Sequence, residues 1–129
     1  MPESLLLDTC ALIWLATGSA ELSKETRARI ARAPKAFVSS VSAWELGVKC
    51  HKGKISLPCD PRRWFSGVVE KYDLEVLGLG SDEMLAASEL PWHHKDPADR
   101  FIIATALKNS LPVVTGDGNF SRYGVTVLR

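Results

Sequence analysis

Leu5-Leu6-Leu7-Asp8-Thr9-Cys10-Ala11-Leu12-Ile13-Trp14-Leu15-Ala16 is the stretch on which the fold turns. Three consecutive leucines read as a buried strand, and the apolar run beyond them reads as a helix from about Thr9 to Ala16, ended by Gly18. Working outward, the same alternation recurs. Ser23 can cap a second helix that runs through Ala33 and stops at Pro34, and Ala36 to Ser39 is a second short strand. A third helix follows from about Ala43 to His51, with Gly53 beyond its end. Pro61 to Tyr72 reads as a helix, Glu75 to Leu77 as a strand, and Ser81 to Glu89 as a helix with Ser81 at its N-cap. Asp96-Pro97 sets a capping residue before a proline at the first helical position, opening a helix to about Asn109. Val113 to Thr115 and Val125 to Val127 supply two final strands, separated by a loop holding Gly116, Asp117 and Gly118. Strands alternating with helices imply an α/β sandwich with a mainly parallel sheet.

The bulk properties bound what such a sheet can do. A chain of 129 residues, 46% apolar and without repeats or low-complexity tracts, suits one domain over residues 1–129. Its longest apolar stretches fall well short of the roughly 18 to 20 residues a membrane span needs. Met1-Pro2-Glu3-Ser4 lacks the basic start of a secretory signal, so a cytoplasmic protein is expected. Three cysteines without a CxxC pair argue for a reducing compartment, and Cys50, His51, Cys59 and the His93-His94 pair fit no zinc spacing. The formal net charge of +1 excludes a strongly basic polyanion-coating protein while permitting local basic patches.

Chemistry therefore has to come from a site, and the acids define one. Asp8 ends the first strand, Glu45 lies in the first turn of the third helix, Asp99 in the first turn of the Asp96 helix, and Asp117 follows the Val113 strand. In a parallel sheet these positions share one edge, where strand ends and the following helix N-termini form a crevice. Each acid also has a local explanation. Asp8 can cap a helix, Ser42-Ala43-Trp44-Glu45 fits a capping box, Asp99 stands three residues after the cap Asp96, and Asp117-Gly118 is turn chemistry. Ile102, Ile103 and Ala106 follow Asp99 on a common helical face, so its carboxylate should lean inward. Two like charges about 4 Å apart repel by roughly 4 kcal/mol at an effective dielectric near 20, so a cluster needs compensation. Lys49, His93, His94, Lys95 and Arg100 are local candidates, and an oxygen-rich pocket also suits magnesium or manganese.

Leu5-Leu6-Leu7-Asp8-Thr9, Ser42-Ala43-Trp44-Glu45-Leu46, His94-Lys95-Asp96-Pro97-Ala98-Asp99-Arg100 and Val114-Thr115-Gly116-Asp117 together resemble the successive signatures of the PIN-domain nucleases. More narrowly, the chain resembles VapC-type toxins of toxin–antitoxin pairs, over essentially its full length. The resemblance implies a Rossmann-like three-layer α/β/α sandwich, a magnesium- or manganese-dependent ribonuclease acting on single-stranded regions of RNA, a VapB-type antitoxin and a homodimer. It implies metal-ligand and catalytic roles for Asp8, Glu45, Asp99 and Asp117, with Asp96 a possible fifth acid. Between Asp96 and Asp99 the latter is favoured, because Asp96 is better placed as the cap. Thr9 and Thr115 resemble hydroxyl positions near the site, with Asn119 nearby, and each fits a turn or cap equally well.

Basic groups flanking the acids should carry RNA, with Arg100, Lys95 and Lys49 the nearest and Lys52 better read as a solvated helix face. Trp92, beside Pro91 and His93, is the best base-stacking candidate, whereas Trp44 reads as core. Two rivals remain. A phosphotransfer domain would want a second aspartate where this chain has Cys10, or a late lysine where it has Asp117. A catalytically silent interaction module would keep the fold and use the acidic edge to bind a basic partner.

Overall fold

The computed structural model describes residues 2–129 and carries five strands in the order β3-β2-β1-β4-β5, every neighbouring pair parallel. β1 (Leu5–Leu7) lies at the centre, in register with both β2 (Ala36–Ser39) and β4 (Val113–Val114). Its three leucines are all fully buried because both faces of the sheet are covered. Side chains alternate across a strand, so Leu5 and Leu7 enter one core and Leu6 the other.

The first core takes Ala11, Leu12 and Leu15 from α1 (Thr9–Thr17), Ile30 from α2 (Lys24–Arg32), and Trp64 and Val68 from α4 (Pro61–Lys71). The second takes Ala98, Ile102, Ile103 and Ala106 from α6 (Pro97–Asn109), with Phe120 from a 3-10 turn at Gly118–Tyr123. α3 (Ser40–His51) serves both, placing Val41 in the second and Leu46 in the first. α5 (Ser81–Glu89) packs outside against α6, while β3 (Leu74–Leu77) and β5 (Val127–Leu128) form the sheet edges. This is the three-layer α/β/α arrangement, with a sheet wholly rather than mainly parallel.

Several boundaries differ from the sequence reading. α3 begins at Ser40 and is capped by Ser39, whose hydroxyl accepts from the Val41 N–H at 3.2 Å. Ser42 and Glu45 are thus interior helix residues, not a capping box, and Glu45 sits in the second turn. α5 has Gly80 at its N-cap with no side-chain cap, so Ser81 is its first residue rather than its cap. β5 starts at Val127, because Val125 turns into the second core before the chain joins the sheet.

The topology sets the position of the site. From β1 the chain moves outward through β2 to β3, then returns to β4 on the other side of β1. The crevice where strand order reverses lies beyond the C-terminal ends of β1 and β4, the general ligand position of open parallel sheets.

Candidate active site

Asp8 follows β1 directly, and its N–H donates to the Val114 carbonyl at 3.1 Å, tying it to the end of β4. Its Oδ1 accepts from the Ala11 N–H at 2.8 Å, so it caps α1 while buried at the crevice floor. The local role and the site role coincide. Burial pushes its carboxyl upward, as do the nearby charges of Glu45 and Asp117, against hydrogen bonds with Thr115 and Ala11.

Glu45 is buried and met by the neighbouring residue of the strand–helix junction. The Thr9 hydroxyl donates to Glu45 Oε1 at 2.5 Å, and Ser42 Oγ lies 2.8 Å from the same Thr9 oxygen. A hydroxyl carries one proton, so with Thr9 donating to Glu45 the bond from behind comes from Ser42. Lys49 Nζ stands 3.8 Å from the other Glu45 oxygen, one helical turn on.

Asp99 and Asp117 form the opposite wall. Asp96 accepts from the Asp99 N–H at 3.3 Å as the cap of α6, leaving Asp99 to project from the first turn. Its carboxyl is pushed up to about 7, first by burial, then by Asp96, with Glu45 and Asp8 adding to the rise and His94 opposing it. Asp117 Oδ1 accepts from the Asn119 N–H at 2.9 Å, and its own N–H donates to the Thr115 hydroxyl at 3.0 Å. Gly116 is required here, since a Cβ would sit 2.6 Å from the Trp14 ring. Asn119 itself is exposed and reaches Asp117 through its backbone.

Asp8 thus feels the charges of Glu45 and Asp117, and Asp99 those of Glu45 and Asp8, which gathers the four acids in one crevice. The residue the sequence undervalues is His94, which there is one of five compensating charges and, with His93, part of a histidine pair that fits no zinc spacing. Its Nε2 lies 2.7 Å from Asp117 Oδ2 and 3.1 Å from Asp99 Oδ2. His94, Asp99 and Asp117 offer ligand atoms all within 4.8 Å of one another. The available signal was a histidine just ahead of the Asp96-Pro97 helix start. The donor set, predominantly carboxylate oxygen, fits magnesium or manganese rather than a thiolate-seeking ion. Cys50, His51 and Cys59 join no such cluster among the described residues, and the three cysteines are unpaired.

Two expectations are corrected. Arg100 was to meet phosphate, but it is 3% exposed and its guanidinium donates to the carbonyls of Ala87, Leu90, Pro91 and His94 at 2.6 to 3.1 Å. With those donors spent and the group walled in, it has no access to RNA. Trp44 was to be core, yet it is 63% exposed, because the buried positions Val41, Ser42, Glu45 and Leu46 define the opposite face of α3. Trp92 is exposed, and the Arg100 guanidinium lies 3.6 Å from its ring centroid, so one of its faces is taken. Lys95 and Lys52 are exposed, whereas Lys49 is half-buried against Glu45.

A PIN-domain family model matches residues 5–125, a span that includes all four acids. The chain is 28% identical over 115 residues to Ribonuclease VapC22 of Mycobacterium tuberculosis, covering 88% of this chain and 87% of that protein. The fold is similar to that of VapBC2 from Rickettsia felis bound to a DNA fragment from its promoter, with a TM-score of 0.70 at 16% identity over 98% of this chain and 97% of that one. It is also similar to DNA-bound VapBC from Salmonella typhimurium, with a TM-score of 0.67 at 23% identity over 98% and 97% of the two chains. With the family model spanning β1 to β4, the flanking helices and every acid of the crevice, the chain belongs to the PIN-domain family.

Proposed function

We propose that this protein is a divalent-metal-dependent endoribonuclease that acts as the toxin of a toxin–antitoxin pair, cutting single-stranded regions of RNA. The observation that carries this reading is the meeting of Asp8, Glu45, Asp99 and Asp117, delivered by four separate elements, in the crevice of a PIN-domain fold. Further support comes from a relative named as a ribonuclease and from structural neighbours that are VapBC complexes.

Asp8, Asp99 and Asp117 would hold magnesium or manganese, with Asp96 at the margin as the helix cap. When bound there, such an ion would supply an activated water and neutralise charge on the phosphate and the departing oxygen. Glu45 is placed to orient the attacking water, since the Ser42–Thr9 relay fixes one of its oxygens and leaves the other toward Lys49. Thr115 steadies both Asp8 and Asp117. Lys95, Lys49 and the outward face of Trp92 are the groups positioned to meet RNA. Cleavage of a structured RNA in magnesium or manganese, abolished by chelator and in Asp99→Asn, tests the reading. Intact RNA under all conditions would instead indicate a silent interaction module.

The antitoxin is read as a VapB-type protein laying an apolar helix near α1 and α2 and a lysine or arginine into the acidic crevice. Ile13 and Trp14 on α1 are only partly buried, and the crevice attracts cations. RNA cleavage left unimpaired in the purified complex would contradict it. A homodimer fits the exposure of Trp44, Met84 and Leu85, and a concentration-independent monomer mass would contradict that. No helix among the described residues is long and apolar enough to cross a membrane, and a cytoplasmic site of action is proposed.

A further inference from the structure

His94 sits where an ion would sit, and its hydrogen bonds define its protonation pattern. The Asp96 backbone N–H donates to His94 Nδ1 at 3.2 Å. A backbone N–H can only donate, so Nδ1 presents a lone pair and the ring proton resides on Nε2. Nε2–H is then a donor shared between Asp117 at 2.7 Å and Asp99 at 3.1 Å. A nitrogen that carries a proton has no lone pair for a metal. For Nε2 to ligate, the proton would have to move to Nδ1, against the Asp96 N–H.

The ring is also held firmly in place. The segment that carries it has three carbonyls, of Leu90, Pro91 and His94, bound by the buried Arg100 guanidinium, and Trp92 covers that guanidinium. From the other side the Tyr123 hydroxyl donates to the Pro91 carbonyl at 2.8 Å and accepts from the His94 N–H at 2.8 Å. The edge of the His94 ring rests near Phe120, whose side chain is fully buried. Arg100, assigned above to no phosphate, thereby acts on the site by positioning His94.

We propose that His94 is a resident hydrogen-bond donor that joins Asp99 and Asp117 until a divalent ion takes its place, and is not itself a ligand of that ion. The proposal rests on the metal-site reading above and adds to it a competition. Carboxylates engaged by the imidazole are unavailable to the ion, and apparent affinity falls by the fraction of molecules in the competent, unbridged state. Removing the donor should therefore tighten metal binding, whereas removing a ligand would weaken it. The two roles predict opposite signs.

The test is calorimetric titration of Mn2+ into the intact protein at pH 8, comparing wild type with His94→Ala and His94→Gln, together with melting temperatures in chelator. The expected result is Mn2+ bound about 3- to 10-fold more tightly by His94→Ala. His94→Gln should fall between the two, since its amide can still donate to a carboxylate. In chelator His94→Ala should melt below wild type, having lost the bridge between two acids. Affinity in His94→Ala and His94→Gln that is unchanged or weaker overturns the proposal, and weaker binding in both makes His94 a ligand. Wild type that binds no Mn2+ overturns the metal-site reading as well, which separates that failure from a failure of His94's role alone.

Discussion

Glu45 and the pair Asp99–Asp117 face each other across the same crevice, but they are held there by different means. Glu45 rests on a relay of neutral hydroxyls, Ser42 to Thr9 to carboxylate, built from α1 and α3 and buried throughout. Asp99 and Asp117 share one imidazole carried by the segment between α5 and α6, and Asp99 is held near 7. The Glu45 wall is thus fixed scaffold, its carboxylate held by buried hydroxyls. The Asp99 wall stores unfavourable charge that a cation would relieve, and most of the metal-dependent energetics should reside there.

The largest expected effect is on that second wall. Asp99→Asn should lower RNA cleavage by more than about 100-fold, beyond what loss of a group that merely supports a ligand costs. Initial rates at saturating magnesium would check it, and activity within a few-fold of wild type would move the chemistry elsewhere. The pH dependence sharpens the same contrast. Asp99 has its carboxyl raised from 3.8 to about 7, so between those values the folded chain binds more protons than the unfolded one. In chelator, stability should therefore fall as pH rises through that window, and Asp99→Asn should flatten the fall. Asp8, raised in the same direction, leaves a residual slope of the same sign. A slope unaltered in Asp99→Asn would show that Asp99 does not carry it.

On the first wall the expected effect is structural. Thr9→Val keeps the shape but leaves Glu45 and Ser42 without their shared partner, costing about 1–3 kcal/mol by denaturant unfolding with or without metal. If that cost vanished on adding magnesium, the two walls would not differ as described. Asp96→Ala should cost about 0.5–2 kcal/mol as a lost helix cap and lower cleavage far less than Asp99→Asn. Equal losses of activity in the two variants would make Asp96 a ligand.

Legibility in the sequence followed the same divide. Leu5-Leu6-Leu7, the Asp96-Pro97 helix start and the Ile102, Ile103, Ala106 face announced themselves because each is local, and the switch of strand order around β1 then brought the acids to one edge. The start of α3 was not legible, since Ser39, Ser40 and Ser42 are all plausible caps and only the Val41 N–H selects Ser39. That three-residue error turned Glu45 into a capping-box residue and hid the exposure of Trp44, which the spacing of Ser42, Glu45 and Leu46 places off the buried face. Arg100 was misread for a different reason. Its partners are carbonyls of residues 87–94, and no side-chain pattern reports where a loop's carbonyls point.

The smallest expected effect lies outside both walls. Lys95→Ala should reduce the slope of log affinity for single-stranded RNA against log salt by about 0.7, the value of one phosphate contact. An unchanged slope would remove Lys95 from the RNA path without touching the acids.

Thermal melts of wild type and Asp99→Asn, in chelator and then with magnesium or manganese, test the central claim most directly. If the four acids form a cation site, Asp99→Asn should melt at or above wild type in chelator, because a repelling charge has been removed. The ranking should reverse with metal, which at about 100 times its dissociation constant stabilises wild type by roughly 2.7 kcal/mol and the variant much less. A lower melting temperature for Asp99→Asn in chelator, with equal metal-induced shifts in both proteins, would mean that the carboxylate only supports the first turn of α6, and would contradict the account.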